Sequence, residues 1–334
     1  MRKTALQKDR ARLVTTSKFT STRLGAYFFL LINTLCWGAA LVVTKPALEI
    51  ASPFRFLLYR YLLASGMVLP YLLLNWQKIR PKMRDLVNIA WIELIGTGLA
   101  LAILYTGLRY TTAIEASLIS TTTPIFIVFG GLLFLRERLE KHEAVGLGVA
   151  FLGTIAMTLL PAWLLSNSTL GESISLVGNL LIFGQNIVTA IYFLLSKRYY
   201  AQLPKFFAAS ISFVIGLACF FGLSLVESGG LSNLMNAILT DISHSSVLTA
   251  AIYMSVFGSI IGYTSYIKGQ NHVEASEASI FWYLQPLVYL PLGVVLLGER
   301  VSVVQVLTLG LVLLGVVMAS LRFKRKRAKK NQAI

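Results

Sequence analysis

One stretch of this chain is written twice, and the duplication limits the fold more than any other feature. Glu115–Arg138 reads EASLISTTTPIFIVFGGLLFLRER and Glu277–Arg300 reads EASIFWYLQPLVYLPLGVVLLGER, and an offset of 162 residues superposes them without a gap. Under it Glu115, Ala116, Ser117, Pro124, Glu137 and Arg138 fall on Glu277, Ala278, Ser279, Pro286, Glu299 and Arg300. Gly148 and Gly153 continue the register onto Gly310 and Gly315. Shared apolarity does not produce identities at polar, small and proline positions. The chain is an internal duplication, to be folded as two copies of one unit. The first spans of the copies agree more weakly at an offset of 153, where Asn33 meets Asn186 and Lys45 meets Arg198.

The repeated unit is too apolar for water. Hydrophobic residues make up 56% of the chain and charged residues 13%, with a mean hydropathy of +0.72, whereas soluble domains carry roughly 25% charge. Runs of about 20 apolar residues recur, the length that crosses a hydrocarbon core. Ten spans fit, near 24–44, 54–75, 87–108, 113–135, 144–164, 174–196, 206–226, 247–267, 276–297 and 302–321. The first is expected to be retained, since its apolar run is too long for a signal-peptide core and no small-x-small site follows it. Cys36 and Cys219 both fall in apolar runs and supply no disulfide framework.

The net charge of +16 reflects where the basic residues sit. With the N-terminus inside, 25 of the 30 lysines and arginines lie on inner segments. Lys45, Arg55, Arg109 and Arg300 lie outside, and Arg60 lies within a span. The positive-inside rule therefore puts both termini in the cytoplasm. Ten spans in two copies make five per copy, an odd number, so the second copy enters the membrane upside down. The expected fold is all-α integral membrane: ten transmembrane helices as two inverted five-helix repeats. Secondary transporters with this architecture hold substrate near the midplane, between the halves. The expected organisation is a basic tail at 1–23, a first repeat at 24–165, a second at 172–321 and a basic tail at 322–334. The closing RFKRKRAKK run reads as an anchor to anionic lipid rather than a nucleic-acid site.

Five spans carry a polar face at helical spacing. Span four has Ser117, Ser120, Thr121 and Pro124, and span nine has Ser279, Trp282, Tyr283 and Pro286 at the matching positions. Span one offers Asn33, Trp37, Ala40 and Thr44; span six Gln185, Thr189, Tyr192 and Ser196; span eight Ser255, Ser259, Gly262 and Tyr266. Such stripes either pack helix on helix or line a cavity, because lipid cannot satisfy them. The cavity reading nominates Trp37, Tyr105, Tyr192, Tyr263, Trp282 and Tyr283 as stacking surface. Asn33, Gln185, Asn186 and Gln285 would orient a ligand.

Two ionisable residues lie within spans. Glu93 shares a face with Gly96, Thr97 and Ala100 and reads as a proton carrier or amine partner, or else as a solvated or arginine-paired structural acid. Arg60 reads as a partner for a carboxylate, or as a long stem reaching to the outer surface. The repeated acids look structural: Thr112 and Glu115 form a capping box, and Glu137 and Glu299 sit beside arginines in turns. There is no Gly-Lys pair, no HExxH and no GxSxG, and the three aspartates and three histidines fall in or beside loops. No enzyme activity, cofactor or metal is expected.

The pattern resembles the EamA-like branch of the drug/metabolite transporter superfamily. The matching features are Tyr105, Gly107, Leu108 and Tyr110 before span four, A-x-x-A-S followed by Pro and Glu-Arg in each half, Trp37-Gly38 and Arg60. Arg136 stands before Glu137 where the family often has glycine; Gly298 keeps it. The resemblance spans roughly residues 24–321 and implies a bacterial-type inner-membrane carrier, often an exporter of amino acids or related metabolites. It also implies a central cavity lined by spans one, three, four, six, eight and nine.

The function expected is secondary active export of small metabolites such as amino acids, by alternating access. Its partners would be a small-molecule substrate, the lipid bilayer and, through Glu93, protons. Two alternatives stand beside it: an importer of a cationic or nucleotide-like metabolite, and a non-transporting lipid-handling or accessory membrane protein. The polar stripes on five spans argue against the last.

Overall fold

A computed structural model describes residues 23–134, 144–146, 148–153, 155–156, 172–200, 203–273, 278 and 281–320. The basic tails, the turn holding Arg136, Glu137 and Arg138, and Glu277 and Ser279 lie outside the described residues. Every regular element among the described residues is helical. In chain order these are α1 (Arg23–Leu48), α2 (Pro53–Ile79), α3 (Met83–Tyr110), α4 (Ala113–Gly131) and α5 (Ala144–Gly153). They continue as α6 (Glu172–Tyr199), α7 (Lys205–Ser228), α8 (Leu231–Ile242), α9 (Ser245–Gln270), α10 (Phe281–Leu297) and α11 (Val303–Ser320).

Seven of these, α1–α4, α6, α7 and α9, are long and apolar enough to cross a membrane, and α5, α10 and α11 are shorter apolar helices. Exposed leucine, valine and phenylalanine side chains such as Phe28, Leu73, Phe129, Val226 and Val295 coat the bundle, as befits a surface solvated by lipid. The fold is that of an all-α integral membrane protein. The segment between the expected spans 206–226 and 247–267 is itself largely helical. Gly229 (φ 69°) ends α7 in the left-handed region, and α8 then buries Leu234 and Asp241 while Leu231, Met235 and Leu239 stay exposed.

The two sequence copies interdigitate. α1 packs on α9 and α10, α2 on α7, α3 on α6, and α4 on α6 and α10. A large core joins α1–α3 with α6, α7 and α9, and a smaller one joins α4 and α5 with α10 and α11. Polar contacts pin the bundle end where α1 meets α2 and α3 meets α4. Arg55 pairs with Asp241 at 2.8 Å, and the Ser52 hydroxyl donates to Glu227 at 2.5 Å. Lys45 Nζ donates to the carbonyls of Leu108 (2.8 Å) and Thr111 (2.6 Å) at the end of α3. Glu299 accepts the Ala113 and Ile114 N–H groups at 2.7 Å each, capping α4 from the other half. Thr112 accepts from Glu115 N at 3.1 Å as the capping box requires, while Glu115 Oε2 accepts from Thr111 at 2.6 Å.

Both halves distort their helices at matching places. α3 widens to a π-helix at Leu94–Ala100 and α9 at Met254–Tyr263, which overlap under the 162-residue offset. α4 breaks at Thr121–Thr122 and α10 begins with a 3-10 turn at Phe281–Leu284, each just ahead of a proline, Pro124 and Pro286. Proline cannot donate to the turn before it, so carbonyls there are freed, and at membrane depth they need protein donors. Asn186 of α6 donates to Ile119 O at 2.8 Å, and Thr34 of α1 donates to Phe281 O at 2.9 Å. Ile119 and Phe281 are equivalent under the offset, and each is served by the opposite half.

Candidate functional site

A cavity of about 160 Å³ lies where these distortions converge. An apolar cavity of about 150 Å³ already takes a molecule the size of benzene. Helices from both halves wall it, including those the resemblance implied; α2 and α7 join them through Arg60 and Phe213. Of the nominated residues, Trp37, Arg60, Tyr105, Gln185, Asn186, Tyr192, Tyr263, Trp282 and Gln285 line the cavity. Asn33, Glu93 and Tyr283 do not.

Asn33 stands behind the wall. The π-helix of α9 frees carbonyls, and Asn33 Nδ2 donates to Gly262 O at 3.0 Å while Trp37 Nε1 donates to Gly258 O at 2.9 Å. Asn33 Oδ1 then accepts from Trp282 Nε1 at 3.2 Å, so the amide is spent on structure at both ends. Tyr283 belongs to the smaller core with Ile114 and Tyr289. Neighbours on a 3-10 turn point about 120° apart, so with Trp282 turned to the cavity Tyr283 turns away. This corrects the single-face reading of span nine.

An aromatic cluster in the wall draws one ring each from α1, α6 and α10. Trp37 meets Trp282 at 5.6 Å and Phe193 at 6.1 Å, and Phe193 meets Trp282 edge-on at 5.0 Å. α6 also brings two amides to the lining. Gln185 bonds Thr189, and Asn186 Nδ2 also reaches Thr122 Oγ1 at 2.6 Å. Gln185 Oε1 and Asn186 Oδ1 are buried without a partner among the described residues.

Glu93 is fully buried just behind the cavity, and hydroxyls surround it. Its Oε1 accepts from Ser212 at 2.8 Å, Tyr192 at 3.0 Å, Tyr263 at 3.1 Å and Tyr200, and its Oε2 accepts from Thr97. No arginine partner is present among the described residues, which overturns the arginine-paired and solvated readings. Tyr200 lies just past α6; burial first, then the Glu93 charge, hold its phenol well above the ordinary tyrosine value, so it stays a donor. Gly96 makes the cage possible. A Cβ there would stand 2.0 Å from the Tyr192 ring. Sequence periodicity missed Ser212 and Tyr200, because α7 shows no polar stripe and Tyr200 falls at a helix end.

Arg60 is also buried, with 6% of its surface exposed, and does not extend to the outer surface as expected. Its Nε donates to Ser259 at 2.9 Å and its Nη1 to Tyr105 at 3.3 Å, and its Cζ lies 5.2 Å from the Tyr61 ring centroid.

Comparison with known proteins agrees with the geometry. The profile of the EamA-like transporter family matches twice, at residues 24–159 and 176–321. "Uncharacterized transporter YyaM" of Bacillus subtilis is 27% identical over 314 residues, 93% of this chain and 99% of that protein. An "Uncharacterized transporter" of Archaeoglobus fulgidus is 26% identical over 87% of this chain and 96% of its own. "Uncharacterized inner membrane transporter YedA" of Escherichia coli K12 is 26% identical over 89% of this chain and 90% of its own. A solved crystal structure of 16% identity shares the fold, with a TM-score of 0.61 over 90% of this chain and 97% of that one. With both halves matched and relatives alike end to end, the chain belongs to the EamA-like transporter family and is a multi-pass membrane transporter.

Proposed function

We propose that the protein is a secondary active transporter that exports small metabolites, amino acids among them, by alternating access through the central cavity. Its ten apolar helices form two inverted repeats, 24–165 and 172–321, with both basic tails in the cytoplasm. The observation that carries this reading is the Glu93 cage. A buried acid shared by α3, α6, α7 and α9 touches both halves, and Thr97, Tyr192, Ser212 and Tyr263 belong to both cage and cavity wall.

The cage can serve two charge states. An ionised carboxylate only accepts, from as many of the surrounding hydroxyls as its lone pairs allow; a protonated one must also donate, and some hydroxyls must then find other acceptors. Alternatives are in place: Ser212 lies 3.0 Å from Ala208 O, and the Tyr192 and Tyr263 hydroxyls bond each other. Proton binding would thus rearrange groups that face the ligand, which is the coupling a secondary transporter needs. The test is proteoliposome transport with Glu93→Gln. Loss of pH-gradient-driven movement with substrate exchange retained supports the reading; gradient-driven movement at the unaltered rate removes Glu93 from coupling.

A further inference from the structure

We infer that the cavity takes a small monocarboxylate with an apolar body, held by Arg60. The inference rests on the transporter reading and adds the class of its substrate. Arginine carries five N–H donors in a planar fork. Two of them go to neutral oxygens, those of Ser259 and Tyr105, which orient the guanidinium without cancelling its charge. The buried acids among the described residues are engaged elsewhere: Glu93 by its hydroxyls and Asp241 by Arg55 and Tyr59. Among the described residues no carboxylate forms an ion pair with Arg60.

A buried arginine without a counter-charge is costly at membrane depth, and intramembrane charges mark substrate paths. Arg60 lines the cavity, where a ligand can meet it. A carboxylate accepts two parallel bonds from the fork, the geometry that favours arginine over lysine. The Trp37–Phe193–Trp282 cluster covers an apolar or ring-bearing body, and the volume suits a single ring. A cationic metabolite would meet Arg60 as a like charge.

The experiment is a thermal-shift titration of the full-length, detergent-purified protein. The probes are acetate, isobutyrate, phenylacetate and indole-3-acetate, each beside its own amide, with phenethylamine as the cationic member. A ligand that binds only the folded state raises the midpoint with concentration. The expected result is a dose-dependent shift with at least one ring-bearing carboxylate and none with its amide or with phenethylamine. Arg60→Gln should abolish that preference. Arg60→Lys, which keeps the charge, should bind about tenfold to a hundredfold more weakly because the fork is lost. No carboxylate outperforming its amide overturns the inference, as does wild-type binding by either variant. Counterflow in liposomes separates this from the wider reading. Exchange of amides or amines with no carboxylate preference removes the Arg60 site and leaves a transporter. Carboxylate binding with no exchange of any probe keeps the site and removes the transport reading.

Discussion

Glu93 and Arg60 are both buried charges at the same cavity, yet their surroundings are opposite. Glu93 is saturated, with hydroxyls from four helices converging on one carboxylate behind the wall. Arg60 stands in the wall itself with two neutral partners and no ion pair among the described residues. The carboxylate has its acceptor sites filled, whereas the guanidinium has used two of its five donors. Burial alone does not separate these cases, whereas counting partners against donor capacity does.

The comparison is most easily broken through stability. Glu93→Ala strips several buried hydroxyls of their shared acceptor and should cost roughly 3 kcal/mol or more, since each orphaned donor costs about 1–3 kcal/mol. A detergent-solubilised variant melting within a degree of the wild type would mean the cage is idle. Gly96→Ala attacks the same cage by crowding. The added methyl must move the Tyr192 ring, at an overpacking cost of about 1–3 kcal/mol. Its melting point should fall and its pH dependence of transport should flatten.

Arg60→Met should act in the other direction. Replacing an uncompensated buried charge with an apolar chain of similar length should leave stability unchanged or raise it by about 1 kcal/mol, while carboxylate binding disappears. A large loss of stability would show Arg60 to be a structural strut and equalise the two charges. The smallest effect is expected for Trp37→Phe, which removes the donor to Gly258 O but keeps a ring in the wall. It should cost about 1 kcal/mol, read as a modest drop in melting temperature with no change in charge preference among ligands.

Much of this was legible in the sequence because membranes impose simple rules. Apolar run length, the repeated EAS…P…ER stretch and the placement of lysine and arginine pointed to a duplicated helical membrane protein before any coordinates. The aromatic and amide side chains of the polar stripes were also visible, since Trp37, Gln185, Tyr192 and Trp282 interrupt apolar runs at helical spacing. Their division of labour was not. Asn33 and Asn186 occupy equivalent positions, but Asn33 is consumed by Gly262 O and Trp282 whereas Asn186 lines the cavity and its Oδ1 has no partner among the described residues.

The chain by itself determined that helices would form and roughly where, because those features rest on local composition and on the cost of leaving backbone groups unbonded in lipid. Only tertiary structure decided that Tyr192, Ser212 and Tyr263, on three helices, and Tyr200, just past α6, would meet on one oxygen of Glu93. It also decided that Tyr283 would turn away while its neighbour Trp282 turned in. Those outcomes depend on π-helical and 3-10 distortions that rotate side chains out of ideal helical register, and on partners far away in the chain. A side chain's neighbours across a helix interface are set by how ridges and breaks from distant segments fit together, which no local pattern records.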